Sequence, residues 1–272
     1  MKFKKLLKHN YKRQIWRLLL NKSNHLLIEE RDAETKAVSY SLYDFASKKY
    51  LLDNYKFEEE FWIGVEAFTE KVMLMHKYVK PDMPTHKGMK AFSFIDKREL
   101  WENNSLNFLF VKDDDVYCFS QRFEGKEFFI IDLYSGEIRE NLRSDYHRIN
   151  RIKNELDLSE NNSGYVFPET LHPLKNEEIF NVVQETTKKI NLTGSFEYLG
   201  FNGSIFVNFH KINKDGTLDN IFRVIEPSKQ KVIFEETLNK KVKNLFIDSF
   251  FIKDNLLFLL MEKSGVAVYR LD

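Results

Sequence analysis

A chain built almost wholly of repeated four-strand β units is what the 272-residue sequence predicts, and three observations carry that prediction. First, an alternating apolar run, an acidic or glycine turn and a second run recur in "IEERDAETKAVSYSLYDFASKKYLLDN", "MHKYVKPDMPTHKGMKAFSFIDKRELWEN", "FVKDDDVYCFSQRFEGKEFFIIDLYSGEIREN", "FVNFHKINKDGTLDNIFRVIEPSKQKVIFEE" and "FLLMEKSGVAVYRLD". Second, an acidic residue closes the third strand of each unit: Asp44, Asp96, Asp132, Glu226 and Asp272. Their intervals of 52, 36, 94 and 46 residues bracket the period of about 40–50 residues of a four-stranded blade, apart from the long one. Third, the last unit supplies three strands and stops where a fourth is due. These observations predict an all-β, five-bladed β-propeller closed by its N- and C-terminal strands, a single domain over residues 1–272.

At the N-terminus, the alternation in "RQIWRLLL" offers the missing fourth strand, and such closure removes two sheet edges that would invite aggregation. Glycine (10) and proline (5) are scarce, so Asn, Asp and Lys carry the turns in "KDDD", "NKDG" and "PSKQ". The long interval favours a helix-containing insertion around residues 140–192 over a sixth, degenerate blade. "HRINRIKNELDLSENNSG" is polar and turn-rich, whereas "NEEIFNVVQETTKKI" sets Ile179, Val182, Val183 and Ile190 at helical spacing behind Asn176. Glu177 and Glu178 at its start and Lys188 and Lys189 at its end suit the helix dipole. Trp16, Trp62 and Trp101 read as core rings at blade junctions.

The 42 basic and 41 acidic side chains leave no global field to steer toward nucleic acid, so no nucleic-acid partner is expected. Clustered Lys2, Lys4, Lys5, Lys8, Lys12 and Arg13 keep open a salt-dependent contact with an anionic surface. Cys118 is the one cysteine; it reads as a small buried hydrophobe and excludes an internal disulfide or a thiolate cluster. No run reaches the roughly 18–20 apolar residues of a membrane span. The N-terminal stretch, broken by Lys8, His9, Lys12 and Arg13, lacks a leader's apolar core and cleavage site. A cytoplasmic monomer is the expectation.

Three segments offer ligand-binding candidates. In "EERD", strand alternation puts Glu29 and Arg31 on one face and Glu30 and Asp32 on the other, with Glu30 and Arg31 the candidates. In "MHKYVKPDMPTHKGMKAF", a loop held by Pro81 and Pro84 presents His76, Tyr78, His86 and Lys87. His76 and His86 stand ten residues apart with no third histidine beside them, so no metal or cofactor is expected. In "GYVFPETLHP", Glu169 precedes the inserted helix. No P-loop, dinucleotide fingerprint, EF-hand, zincin or nucleophile-elbow pattern occurs. The expected function is therefore a non-catalytic binding or interaction module for a protein or small polar ligand. The alternative is a hydrolase or lyase using Glu30, His76, His86 or Glu169 as acid, base or orienting groups.

Taken together, "IWRLL", "EERD", "FWIG", "MHKYVKPDMPTHKGMKAF", "YVFPE" and "DSFFIKDNLLFLL" give the chain a resemblance that spans most of its length. It resembles a family of uncharacterised, propeller-like bacterial proteins known mainly from Bacteroidetes. The resemblance implies the propeller fold and no activity, and it ranks the His76–Lys87 loop and "EERD" first among the candidate sites.

Overall fold

A computed structural model of the chain describes residues 1–59, 61, 63–80, 83–160 and 164–272. Trp62 and Pro81, both singled out in the sequence, lie outside the described residues. Contacts divide the chain into two compact units, Arg13–Asn161 and the pair of segments Met1–Lys12 and Asn162–Asp272. Among the described residues the strands assemble into five antiparallel sheets of four or five strands.

After β1 (Phe3–Asn10), three four-stranded sheets follow in chain order and make up the unit Arg13–Asn161 with one helix. The first is β2 (Gln14–Leu20), β3 (His25–Arg31), β4 (Val38–Asp44) and β5 (Lys49–Tyr55). The second is β6 (Ile63–Phe68), β7 (Val72–Lys80), β8 (Met83–Ser93) and β9 (Arg98–Asn103). The third is β10 (Asn107–Lys112), β11 (Asp115–Arg122), β12 (Gly125–Asp132) and β13 (Ile138–Arg143). Helix α1 (Tyr146–Glu160) covers the third sheet through Ile149 and Ile152. The polar stretch "HRINRIKNELDLSE", expected as loop, is therefore helical. Its Ile149, Ile152 and Leu156 recur at helical spacing, and that stripe outweighs the polar composition around it.

Strand β7 shows why these segments are strands buried on two faces. Met73 and Met75 join Leu27, Tyr40, Leu42 and Phe92 in a core with the first sheet. Val72 and Leu74 join Val116, Cys118 and Ile131 in a core with the third. Period-two alternation with both faces apolar reads as a nearly continuous hydrophobic run. Cys118 is buried, its thiol against Phe129 O, and burial pushes its pKa up to about 12.

The other unit begins with β1 and resumes at the short β14 (Tyr165–Val166) and β15 (Glu169–Thr170), then α2 (Glu177–Thr187). One sheet joins β15 to β16 (Leu192–Phe201), β17 (Ser204–Ile212), β18 (Leu218–Glu226) and β19 (Lys231–Val242). The other has the order β1, β22 (Gly265–Leu271), β21 (Leu256–Met261), β20 (Phe250–Lys253), β14. The two share a core of Phe206, Phe222, Phe250, Leu257 and Leu259. Helix α2 packs Val183 onto Val207 and Phe209; Lys188 is its C-cap and Lys189 lies beyond it. No four-stranded sheet lies between β13 and β16 among the described residues, which disfavours a degenerate blade there.

The first and last strands do pair, Phe3 opposite Leu271 and Asn10 opposite Gly265, but the N-terminal partner is Phe3–Asn10 and not "RQIWRLLL". Gln14–Leu20 instead opens the next sheet. The lysines at positions 2, 4, 5 and 8 disguised β1: it is an outer strand, and only Leu7 among its residues is buried. Three acidic anchors are the last residue of a strand, β4, β12 and β18, as the sequence put them; Asp272 follows β22 directly, and Asp96 lies three residues past β8, in the turn. Two of them show the reason. Asp44 accepts from the amides of Ala46 and Ser47, and Asp132 from those of Tyr134 and Ser135, so each carboxylate satisfies the turn that follows it.

Candidate functional site

The first strand of each sheet in the unit Arg13–Asn161 carries one extra residue. Pairing skips from Ile15 to Arg17 in β2, from Val65 to Ala67 in β6 and from Phe108 to Phe110 in β10. The displaced residues are Trp16, Glu66 and Leu109. A bulge breaks the two-residue alternation and re-aims a side chain, and in β6 that side chain is a carboxylate. Trp16, expected in the core, is 63% exposed with the Arg31 guanidinium 5.4 Å from its ring.

Glu66 meets two histidines from the next two strands of its sheet. His76 of β7 lies opposite Gly64, and His86 of β8 lies opposite Tyr78. The segment expected as a loop is thus a long hairpin. Within β8 a second irregularity, at Gly88, has φ of +68°, a conformation glycine adopts without cost. The two imidazoles stack at 3.4 Å with planes 9° apart, and Tyr78 meets both edge-on at 4.9 and 5.4 Å. His86 Nδ1 is hydrogen-bonded to Glu66 Oε1 at 2.7 Å. His76 Nδ1 stands 3.0 Å from the same oxygen but out of hydrogen-bond alignment, and neither nitrogen of this buried ring has a hydrogen-bond partner among the described residues. Burial alone would raise the Glu66 carboxyl; the adjacent imidazoles, His76 foremost and then His86, outweigh it and hold the pKa below its ordinary value.

Gly64 is the floor of this cluster. A Cβ there would stand 2.7 Å from His76 Cε1, 2.8 Å from His76 Nε2 and 3.4 Å from Arg31 Nη2. Only a glycine lets the imidazole lie against β6, and the same point brings Arg31 of the first sheet beside His76 of the second. Arg31 donates from Nε to Glu29 Oε1 at 2.7 Å and from Nη2 to Ile63 O at 3.2 Å. Burial disfavours the guanidinium's charge, but Glu29 more than compensates and raises its pKa. Glu29 itself is 1% exposed, and Arg17 Nε lies 3.9 Å from its second oxygen.

The sequence candidates are thus partly brought together. Arg31, His76, Tyr78 and His86 converge, while Lys87 lies exposed on β8 opposite Lys77. Glu30 is buried with Ser41 Oγ donating to it at 3.2 Å. Glu169 belongs to the other unit, where Tyr198 donates to it at 2.7 Å. Glu66 was missed, because nothing in "GVEAF" marks a bulge. The available signal was a lone carboxylate inside an apolar strand.

Beside the cluster, Glu102 of β9 accepts from Lys77 Nζ at 2.6 Å and Asn104 Nδ2 at 3.0 Å, with Lys90 Nζ 3.2 Å away. The Lys77 hydrogen bond, with help from Asn104 and Lys90 and against some burial, pulls its pKa from 4.5 to about 2. A folded value below the unfolded one means that its stabilisation is present above pH 4.5 and is lost as the pH falls toward about 2. Glu102→Gln should therefore lower Tm at pH 7, and the gap to the parent should close on acidification through this window. It should also narrow in 1 M salt, since the pair is partly exposed to solvent.

No curated protein matches the chain. Among solved structures it is similar to a member of the DUF4221 family from Bacteroides vulgatus, at 8% identity and a TM-score of 0.35, over 99% of this chain and 96% of that one. It is also similar to Hsv2 of Kluyveromyces lactis, at 11% identity and a TM-score of 0.30, over 95% and 75% of the two chains. A third similarity is to the Dos1 propeller, at 11% identity and a TM-score of 0.33, over 98% and 62%. Residues 20–101 match the family model of a domain of unknown function, DUF4905, a stretch that takes in Glu29, Arg31, Glu66, His76, Tyr78 and His86.

Proposed function

We propose that the chain is a non-catalytic binding module, a single-domain, five-bladed β-propeller over residues 1–272 that acts as a cytoplasmic monomer. Three features support the architecture: sheets that pack face to face in chain order within Arg13–Asn161, an acid at or shortly past the end of one strand in each sheet, and the pairing of the first strand with the last. In this reading the Gly64 cluster is the ligand-contacting face. The observation that carries it is convergence: Arg31 and His76 come from segments far apart in sequence and meet within 3.4 Å of one point on Gly64, with His86 and Tyr78 exposing polar and aromatic edges beside them. Such a set recognises a small polar ligand through hydrogen bonds and ring contact. Glu30, spent on Ser41 in a buried position, speaks against the acid–base alternative.

The test is a thermal-shift and calorimetric screen of the chelator-treated chain against small carboxylates, hydroxy acids and sugars. Because His86 and Lys87 are exposed, His86→Ala and Lys87→Ala should leave the fold intact. The expected result is a compound that raises Tm of the parent and binds His86→Ala about tenfold more weakly, the loss of roughly one charge-assisted hydrogen bond. Binding unchanged in both variants would remove this face from consideration.

A further inference from the structure

We propose that Glu66, His76 and His86 form a site for a divalent first-row transition-metal ion of the zinc class. The inference goes beyond the ligand-binding reading and does not depend on it, since a metal here would tie β6, β7 and β8 together whether or not anything else docks.

The donor set is the first ground. Two imidazoles and a carboxylate are a combination used for zinc and its neighbours in the first transition row. Here one ligand atom from each residue lies within 4.8 Å of the others. His76 Nδ1 and His86 Nδ1 approach the same Glu66 oxygen at 3.0 and 2.7 Å. Donors around a tetrahedral ion with bonds of roughly 2.0–2.1 Å stand about 3.3 Å apart, so each needs to withdraw only a few tenths of an ångström. The rings, parallel as they stand, would tilt to aim both nitrogens at one point.

The second ground is the setting of the His76 ring. His76 is 2% exposed, and both its nitrogens lack a hydrogen-bond partner among the described residues. A buried polar atom left without a hydrogen bond is costly, and such atoms are uncommon in folded proteins. Hydrogen bonding alone therefore leaves the ring unexplained. Coordination through Nδ1 would replace its unaligned contact with Glu66 by an ion shared between the two. The bulge that re-aims Glu66 and the glycine that seats the imidazole both serve this convergence. The guanidinium at Gly64, Arg31, is paired with Glu29, which limits its repulsion of a cation. His86, with 45% of its side chain exposed, leaves an approach from solvent.

The experiment uses the untagged full chain, stripped with chelator and titrated with Zn²⁺ by calorimetry and with Co²⁺ by visible absorption. One ion per chain is expected, with cobalt bands characteristic of mixed nitrogen and oxygen ligands. His86→Ala and Glu66→Gln should each weaken Zn²⁺ binding by at least about tenfold. His172→Ala, exposed in the segment before α2, should leave it unchanged. The buried His76 stays in place throughout, because His86 can be removed without opening the core. Absence of saturable uptake of either ion, or uptake that His86→Ala and Glu66→Gln do not alter, would overturn the proposal. The screen for small polar ligands on the chelated chain is read separately, so either idea can fail without the other.

Discussion

Arg31→Ala is expected to destabilise the unit Arg13–Asn161 by about 3 kcal/mol, toward the lower end of the roughly 3–5 kcal/mol seen when one partner of a buried ion pair is removed. The reason lies in Glu29, whose side chain is 1% exposed while that of Arg31 is 18% exposed. Without the guanidinium the carboxylate stays buried with Arg17 Nε at 3.9 Å as its remaining cation, and that contact is why the lower figure applies. The substitution also removes the donor to Ile63 O and the cation over Trp16. For a domain of this size the loss corresponds to a fall of about 6–12 °C in Tm. Glu29→Gln in the Arg31→Ala background should recover a large part of it, because a neutral amide no longer needs a counter-ion. Loss below about 1 kcal/mol for Arg31→Ala, or no recovery in the double variant, would mean that Arg17 alone neutralises Glu29.

This pair also shows what could be read from the sequence. Strand alternation put Glu29 and Arg31 on one face, and the structure has them there, bonded to each other. The apolar periodicity likewise exposed the repeat, because strands such as β7 bury both faces and their residues alternate between two cores. The acidic anchors were legible because a carboxylate closing a turn is a local device, satisfied by the next few amides. Less legible was everything that depended on edges and irregularity. β1 is a lysine-rich outer strand with little to bury, so its pattern is weak. Helix α1 hides three apolar residues among charges.

The site was legible only in part for the same physical reason. His76, Tyr78 and His86 share a hairpin, so closeness in sequence foretold closeness in space. Arg31 reaches them across two sheets, and Glu66 reaches them through a bulge. A bulge changes which way a side chain points without leaving a fixed residue type behind. That step converts two histidines, which alone argued against a metal, into a three-donor set.

The largest effect expected in the other unit is at Phe222, which is 0% exposed. Its ring lies 4.9 Å from that of Phe250, 6.1 Å from Phe234 and 6.2 Å from Phe206. Phe250 belongs to β20 and the other three to β17, β18 and β19, so this one ring fills the space where the two sheets of the unit meet. Phe222→Ala should cost about 3–5 kcal/mol, the transfer of the ring plus the cavity that rigid aromatic neighbours cannot collapse into. Phe222→Leu, which keeps most of the volume, should cost less than about 1.5 kcal/mol. The probe matters: Trp16, Trp62 and Trp101 all fall within Arg13–Asn161, so tryptophan emission follows that unit, and urea unfolding of the variant must be followed by far-UV circular dichroism. A midpoint shift for alanine no larger than that for leucine would show that the sheets close over the gap, and that the aromatic cluster is looser than its ring contacts imply.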